Sequence, residues 1–156
     1  MPPLPDVLAA MIFWAKADPE LAAIYGGRVA SRLPANAEFP FLRVFDFSGQ
    51  PPIGEEAPIS IPVLQWDSFA GKVFDDSTAP DYALASRGAR TLANRLRGFD
   101  GHNPTEFPGF ERRIEWAPGE IVLIRGVAIT AGPVRQPDPE GLARYRVDSA
   151  VQAVAG

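Results

Sequence analysis

Gly26-Gly27-Arg28-Val29-Ala30-Ser31-Arg32-Leu33-Pro34-Ala35-Asn36-Ala37-Glu38-Phe39-Pro40, running on into Phe41-Leu42-Arg43-Val44-Phe45, carries the chain from helix to sheet. Paired glycines allow positive φ and end a helix. Arg28 to Leu33 reads as short and extended, and Pro34 to Glu38 as a turn or loop. Pro40 drives Phe39 towards an extended conformation and launches a strand from Phe41 to Phe47. Two reversals within so few residues set a sheet edge beside a helix, and later elements must pack on it.

Upstream, Asp6 is an N-cap for a helix to about Ala17, with Val7, Met11 and Trp14 on one side and Leu8, Ile12 and Ala15 beside them. Asp18-Pro19 restarts the helix and Gly26-Gly27 stops it. Downstream, Ser48 to Ser60 holds Gly49, Pro51, Pro52, Gly54 and Pro58, a long loop of the kind that usually carries function. Ile61 to Phe69 reads as a strand with Leu64 and Trp66 on one face and Gln65 and Asp67 on the other. Lys72 to Ala79 reads as a polar link, and Pro80 as the start of a second long helix. The buried stripe of that helix is Ala85, Ala89, Leu92 and Leu96, and Gly98 ends it. Small residues at Ala85, Gly88 and Ala89 permit close approach to a sheet. Phe99 to Gly119 is a second excursion with room for a short strand near Arg112 to Trp116. Glu120 to Thr130 and Ala143 to Val154 are strands joined by a hairpin link over Gly132 to Gly141.

These elements predict one α+β domain over 1–156, with long loops at about 48–60 and 99–119. The expected sheet is mostly antiparallel, of about four main strands, with two principal helices on one face. The expected order is helix-strand-strand-helix-strand-strand. A chain of 156 residues buries a sizeable core without metals or disulfides. Seventeen prolines, about twice the usual share, imply long semi-rigid connections.

The absence of cysteine removes disulfide, zinc-thiolate and cysteine-nucleophile chemistry. A net charge of −4 gives no sign of a phosphate-gripping surface overall. Met1-Pro2-Pro3-Leu4-Pro5 lacks the build of a signal peptide, and no apolar run approaches a membrane span, so a soluble protein is expected. Neither a Gly-x-Gly-x-x-Gly loop nor a Walker lysine occurs. The single histidine, His102, sits in a loop without a placed partner, and Glu55-Glu56 and Asp75-Asp76 read as solvated loop surface. Asp46, Asp67 and Asp148 fall on three predicted strands, where they can converge on a cation or do acid/base work; an ordinary polar sheet face is the competing reading. Arg87, Arg90, Asn94 and Arg97 share one face of the second long helix, as a solvated surface, a subunit contact or a phosphate site.

Three stretches together resemble the tail terminator (tail completion) proteins of long-tailed bacteriophages. Gly27-Arg28-Val29 with Leu33 to Pro40 resembles the family's G-x-R-V…L-P…A-x-F-P pattern. Leu64 to Ala70 resembles its Q-x-D-x-W-A strand, with Ser68 where an apolar residue is usual. Gly132-Pro133, Pro137-Asp138-Pro139 and Ala143-Arg144-Tyr145 resemble its closing strand pair. The resemblance spans nearly the whole chain, although the 99–119 excursion is longer than the family pattern.

The resemblance implies a non-enzymatic virion protein with no cofactor and no metal, acting in the tail or neck and assembling in the host cytoplasm. It implies a homo-oligomer, a hexameric ring on the head-proximal end of the tail tube. Its partners are the tail tube protein and a head-completion or connector protein, and DNA passes through the lumen without sequence-specific binding. Candidate subunit or partner contacts are Pro34, Asn36, Glu38, Pro51, Pro52, Glu55, Arg87, Arg90 and Phe107. A head-side neck protein or another minor tail protein is the alternative within the virion. A small enzyme or ligand-binding domain built on Asp46, Asp67 and Asp148 is the alternative outside it.

Overall fold

A computed structural model describes residues 5–47, 59–73, 78–100 and 112–156. The first turn of α1 (Val7–Ala17) is capped by Asp6, whose side chain accepts the Ala9 N–H at 2.9 Å. α2 (Pro19–Tyr25) starts on Asp18, which accepts from Leu21 N, and ends on Gly26 in the left-handed region at φ 58°. The expected caps therefore hold. The extended stretch after the glycines is shorter than expected: β1 covers only Val29–Ala30.

The remaining strands are β2 (Phe41–Asp46), β3 (Val63–Val73), β4 (Thr78–Pro80), β5 (Arg112–Ala117), β6 (Glu120–Gln136) and β7 (Ala143–Ala155). They form one seven-stranded sheet in the order β1-β2-β3-β7-β6-β5, with β4 paired to β3 off that path. The β1–β2 pair is parallel and the others are antiparallel. α3 (Tyr82–Arg97) lies between β4 and β5 in the chain.

The α+β class stands, but the strand count and simple order do not. Lys72 and Val73 continue β3, and Thr78 to Pro80 pair back onto it, so the supposed polar link contains a small hairpin. Pro80 ends that strand, and Asp81 caps α3 instead. On the far side, β6 runs through Gly132 and Pro133 to Gln136 with register shifts near Gly126, Ala131 and Val134. The hairpin turn is correspondingly shorter than the Gly132–Gly141 link, because bulges let a strand absorb residues that read as turn formers. Much of the loop at 48–60 and of the 99–119 excursion lies outside the described residues.

The helices cover one face. Leu42, Val44, Leu64, Trp66, Val147, Val151, Ile124 and Val122 point from the sheet into a single core with Met11, Trp14, Leu21, Leu92 and Leu96. Trp14 packs edge-on against Trp66 and Phe99, with centroids 6.4 and 4.9 Å away. Trp66 Nε1 donates to Ser149 Oγ at 2.9 Å.

α3 reaches the sheet through Gly88. A Cβ there would stand 2.1 Å from the Tyr25 hydroxyl and 2.9 Å from Ser68 Oγ. Ser68 Oγ donates to the Ala85 carbonyl at 2.9 Å and lies 2.6 Å from the Tyr25 hydroxyl. A serine has one proton to give, so Tyr25 is the donor of the pair. This chain of polar contacts explains a serine on the core side of β3. Asp18 adds a second tie, accepting from Arg95 Nε and Nη2 at 3.0 and 2.8 Å and so joining α2 to α3.

Two outcomes follow for urea unfolding. Gly88→Ala costs about 2 kcal/mol by overpacking, and Tyr25→Phe in the same chain recovers part of the loss by removing the closest atom. Burial raises the Tyr25 pKa, more than the Ser68 hydrogen bond lowers it. The unfolded chain then releases its tyrosine proton first, near pH 10, and stability falls as the pH rises above about 10. Titrating the urea midpoint upward from about pH 9 should show that decline, and Tyr25→Phe should flatten it.

Candidate functional site

Strand alternation decides what the second sheet face displays. With Leu64, Trp66 and Ser68 turned to the helices, Gln65, Asp67 and Phe69 face the other way. Register then assembles three rows across β2, β3 and β7: Phe41–Phe69–Arg144, Arg43–Asp67–Arg146 and Phe45–Gln65–Asp148. On β6, Val134 continues the middle row beside Arg146.

The rows form a charged network. Asp67 has a fully buried side chain and accepts from Arg43 Nη2 at 2.7 Å, Arg43 Nε at 3.3 Å and Arg144 Nε at 3.1 Å. Gln65 Nε2 reaches both of its oxygens at 3.3 Å. Asp148 takes a bidentate pair from Arg146, both bonds 2.8 Å. Those bonds raise the Arg146 pKa above its ordinary value, so its charge is secure.

The carboxylates lie beneath the guanidiniums: the Asp67 and Asp148 side chains are 0% and 8% exposed, against 27%, 19% and 32% for Arg43, Arg144 and Arg146. Phenylalanine rings complete the packing. Arg43 stands over Phe45 and Phe69 at 5.6 and 5.1 Å, Arg144 over Phe69 at 5.8 Å, and Arg146 over Phe47 at 5.6 Å. The outer layer of this face is therefore cationic, with Phe47 its exposed ring, although the whole chain is acidic.

The three aspartates do not converge. Asp46 pairs with Leu64 and so belongs to the opposite side of the sheet from Asp67 and Asp148. Asp67 and Asp148 share a face, but arginines already occupy their oxygens. Among the described residues, no group of three or more His, Cys, Asp or Glu side chains is arranged to hold a metal ion.

The other candidates are dispersed. Arg87, Arg90, Asn94 and Arg97 are all exposed on α3, and Arg97 borders an open groove of about 550 Å³ with Val127 to Gly132 of β6. Pro34, Asn36 and Glu38 are exposed on the loop before β2. That loop walls a groove of about 450 Å³ with Phe39, Val73 and Glu140. Pro51, Pro52, Glu55 and Phe107, as well as His102, Glu56, Asp75 and Asp76, lie outside the described residues. Reading the sequence named none of Arg43, Arg144 and Arg146 as a site candidate, and met Arg144 only within the motif of the closing strand pair. The available signal was alternation: each shares strand parity with an aspartate or a phenylalanine on its own strand.

Asp67→Asn tests the network. It leaves Arg43 and Arg144 facing a neutral amide in a buried position, and a loss of about 3 kcal/mol is expected in urea unfolding. A variant within about 0.5 kcal/mol of the parent would mean that the arginines are solvated without it.

No protein-family model matches the chain, and no curated protein matches its sequence.

Proposed function

We propose that the protein is a structural component of a bacteriophage virion. In this reading it forms a hexameric ring that caps the head-proximal end of the tail tube, ends tube polymerisation and offers the joint to the head. Its partners are further copies of itself, the tail tube protein and a head-completion protein. It acts by assembly, with no catalytic step.

One observation carries the reading. The residues that lend the sequence its resemblance to tail terminators come from distant parts of the chain, yet Gln65 and Asp67 of one stretch and Arg144 of another meet in a single hydrogen-bonded network. Residue types shared for a common structural reason are expected to behave this way. The α+β architecture with helices on one sheet face agrees with the expected fold class. In addition, among the described residues no helix is long and apolar enough to cross a membrane.

Closed rings need heterologous contacts between two unlike surfaces of one subunit. The arginine-phenylalanine sheet face and the exposed Pro34–Glu38 loop supply unlike surfaces.

Light-scattering mass measurement of the protein alone and with tail tube protein tests the proposal. The expected result is a discrete ring and tubes that no longer elongate at one end by electron microscopy. A strict monomer that neither assembles nor arrests tube growth would refute it.

A further inference from the structure

We infer that copies of this chain associate head to tail, with Phe47 and the arginine face of one copy seated in the groove beside the Pro34–Glu38 loop of the next. The inference deepens the ring reading and rests on it for closure of the chain of contacts.

The first surface sets one exposed aromatic ring, Phe47, among cations. Phe47 is 49% exposed and stacks under Arg146, while Val134 on the same face is 45% exposed. Arg43 and Arg146 share a row with Val134, Arg144 follows in the next row, and all three lie above the two buried carboxylates. Aromatic residues and arginine are the types that dominate the centres of protein interfaces. Their ion pairs hold the guanidiniums in place before contact, which lowers the ordering cost of docking.

The second surface matches the first in shape and charge. Leu33, Pro34, Ala37, Phe39 and Val73 give the groove apolar side chains, Asn36 adds an amide, and Glu140 is the charged lining residue among the described residues. Val73, 60% exposed, is the most exposed of the large apolar side chains among the described residues. Glu38, exposed between the lining residues Ala37 and Phe39, adds a second carboxylate at the rim. A groove of about 450 Å³ that combines apolar side chains with the Asn36 amide and an acidic edge suits a phenyl ring flanked by guanidiniums.

Position makes the contact heterologous. Phe39 precedes β2 and Phe47 follows it, so the six residues of the strand separate groove from ring by about 20 Å. Val73 at the end of β3 and Glu140 before β7 lie at the same end as Phe39, because β3 is antiparallel to both neighbours. A subunit cannot fill its own groove across that distance. Phe47 stands at the opposite end of the sheet from the groove, with the arginine face running between them, so a contact through Phe47 propagates from copy to copy and closes into a ring when the rotation permits.

Complementation between two variants of the full-length chain tests this. Phe47→Glu spoils the ring-bearing surface and leaves the groove; Val73→Glu spoils the groove and leaves Phe47. Both side chains are exposed, so the fold tolerates the changes, and unfolding midpoints near the parent's will verify it. Each variant alone should lose association by about tenfold or more in sedimentation velocity. An equimolar mixture should form a dimer and stop there, because one intact pair of surfaces remains. Phe47→Trp should associate like the parent.

A mixture that stays monomeric when the parent assembles overturns the pairing of these surfaces and leaves the ring reading standing. So does unchanged self-association of either single Glu variant. A parent chain that is monomeric both alone and with tube protein overturns the pairing and the ring reading together.

Discussion

Asp67 is a carboxylate with no exposed surface, on the face of the sheet turned away from the helices, and much of the molecule follows from how it is compensated. Arg43 reaches it from β2 and Arg144 from β7, so three strands are tied at one point. A register slip of one residue would carry the aspartate into the apolar core and Trp66 out of it. Burying the charge is expensive on its own, and the network is favourable only with every donor present. The constraint therefore favours specificity of strand pairing at least as much as stability.

The opposite face of the same strand is governed by close packing. Trp66 and Ser68 look towards the helices, and Gly88 lets α3 come near enough for Ser68 to bond the Ala85 carbonyl. Tyr25 arrives from α2 to complete that contact. Thus β3 carries a buried hydroxyl relay on one side and a buried ion cluster on the other. Two unlike polar networks back to back leave this strand one placement in the fold.

For function, the sheet face matters because it is amphipathic in an unusual order. Carboxylates lie innermost, guanidiniums above them and phenyl rings beside them, on a subunit that is acidic overall. Every carboxylate oxygen of Asp67 and Asp148 already accepts an arginine N–H, which leaves the guanidiniums as the groups presented outward. The groove lined by Glu140 and the loop before β2 lies at the end of the sheet away from Phe47, and it is the acidic counterpart that the proposed head-to-tail contact uses.

Local rules settled the helices and most strands in advance. Asp6 and Asp18 cap as their side-chain chemistry requires, Gly26 takes the left-handed conformation, and alternation along Leu64 to Phe69 correctly divides core from outer face. Pairing lay beyond those rules. That Thr78 to Pro80 fold back on β3, that β6 runs through Gly132 and Pro133, and that Arg95 reaches Asp18 across 77 residues all depend on contacts distant in sequence. The aspartates show the division clearly. Their strand positions were legible, but which of them share a face depends on register across three strands, and register is a property of the assembled sheet. Parity along the chain placed Asp67 outside the core, and only the neighbouring strands decided that arginines would meet it there.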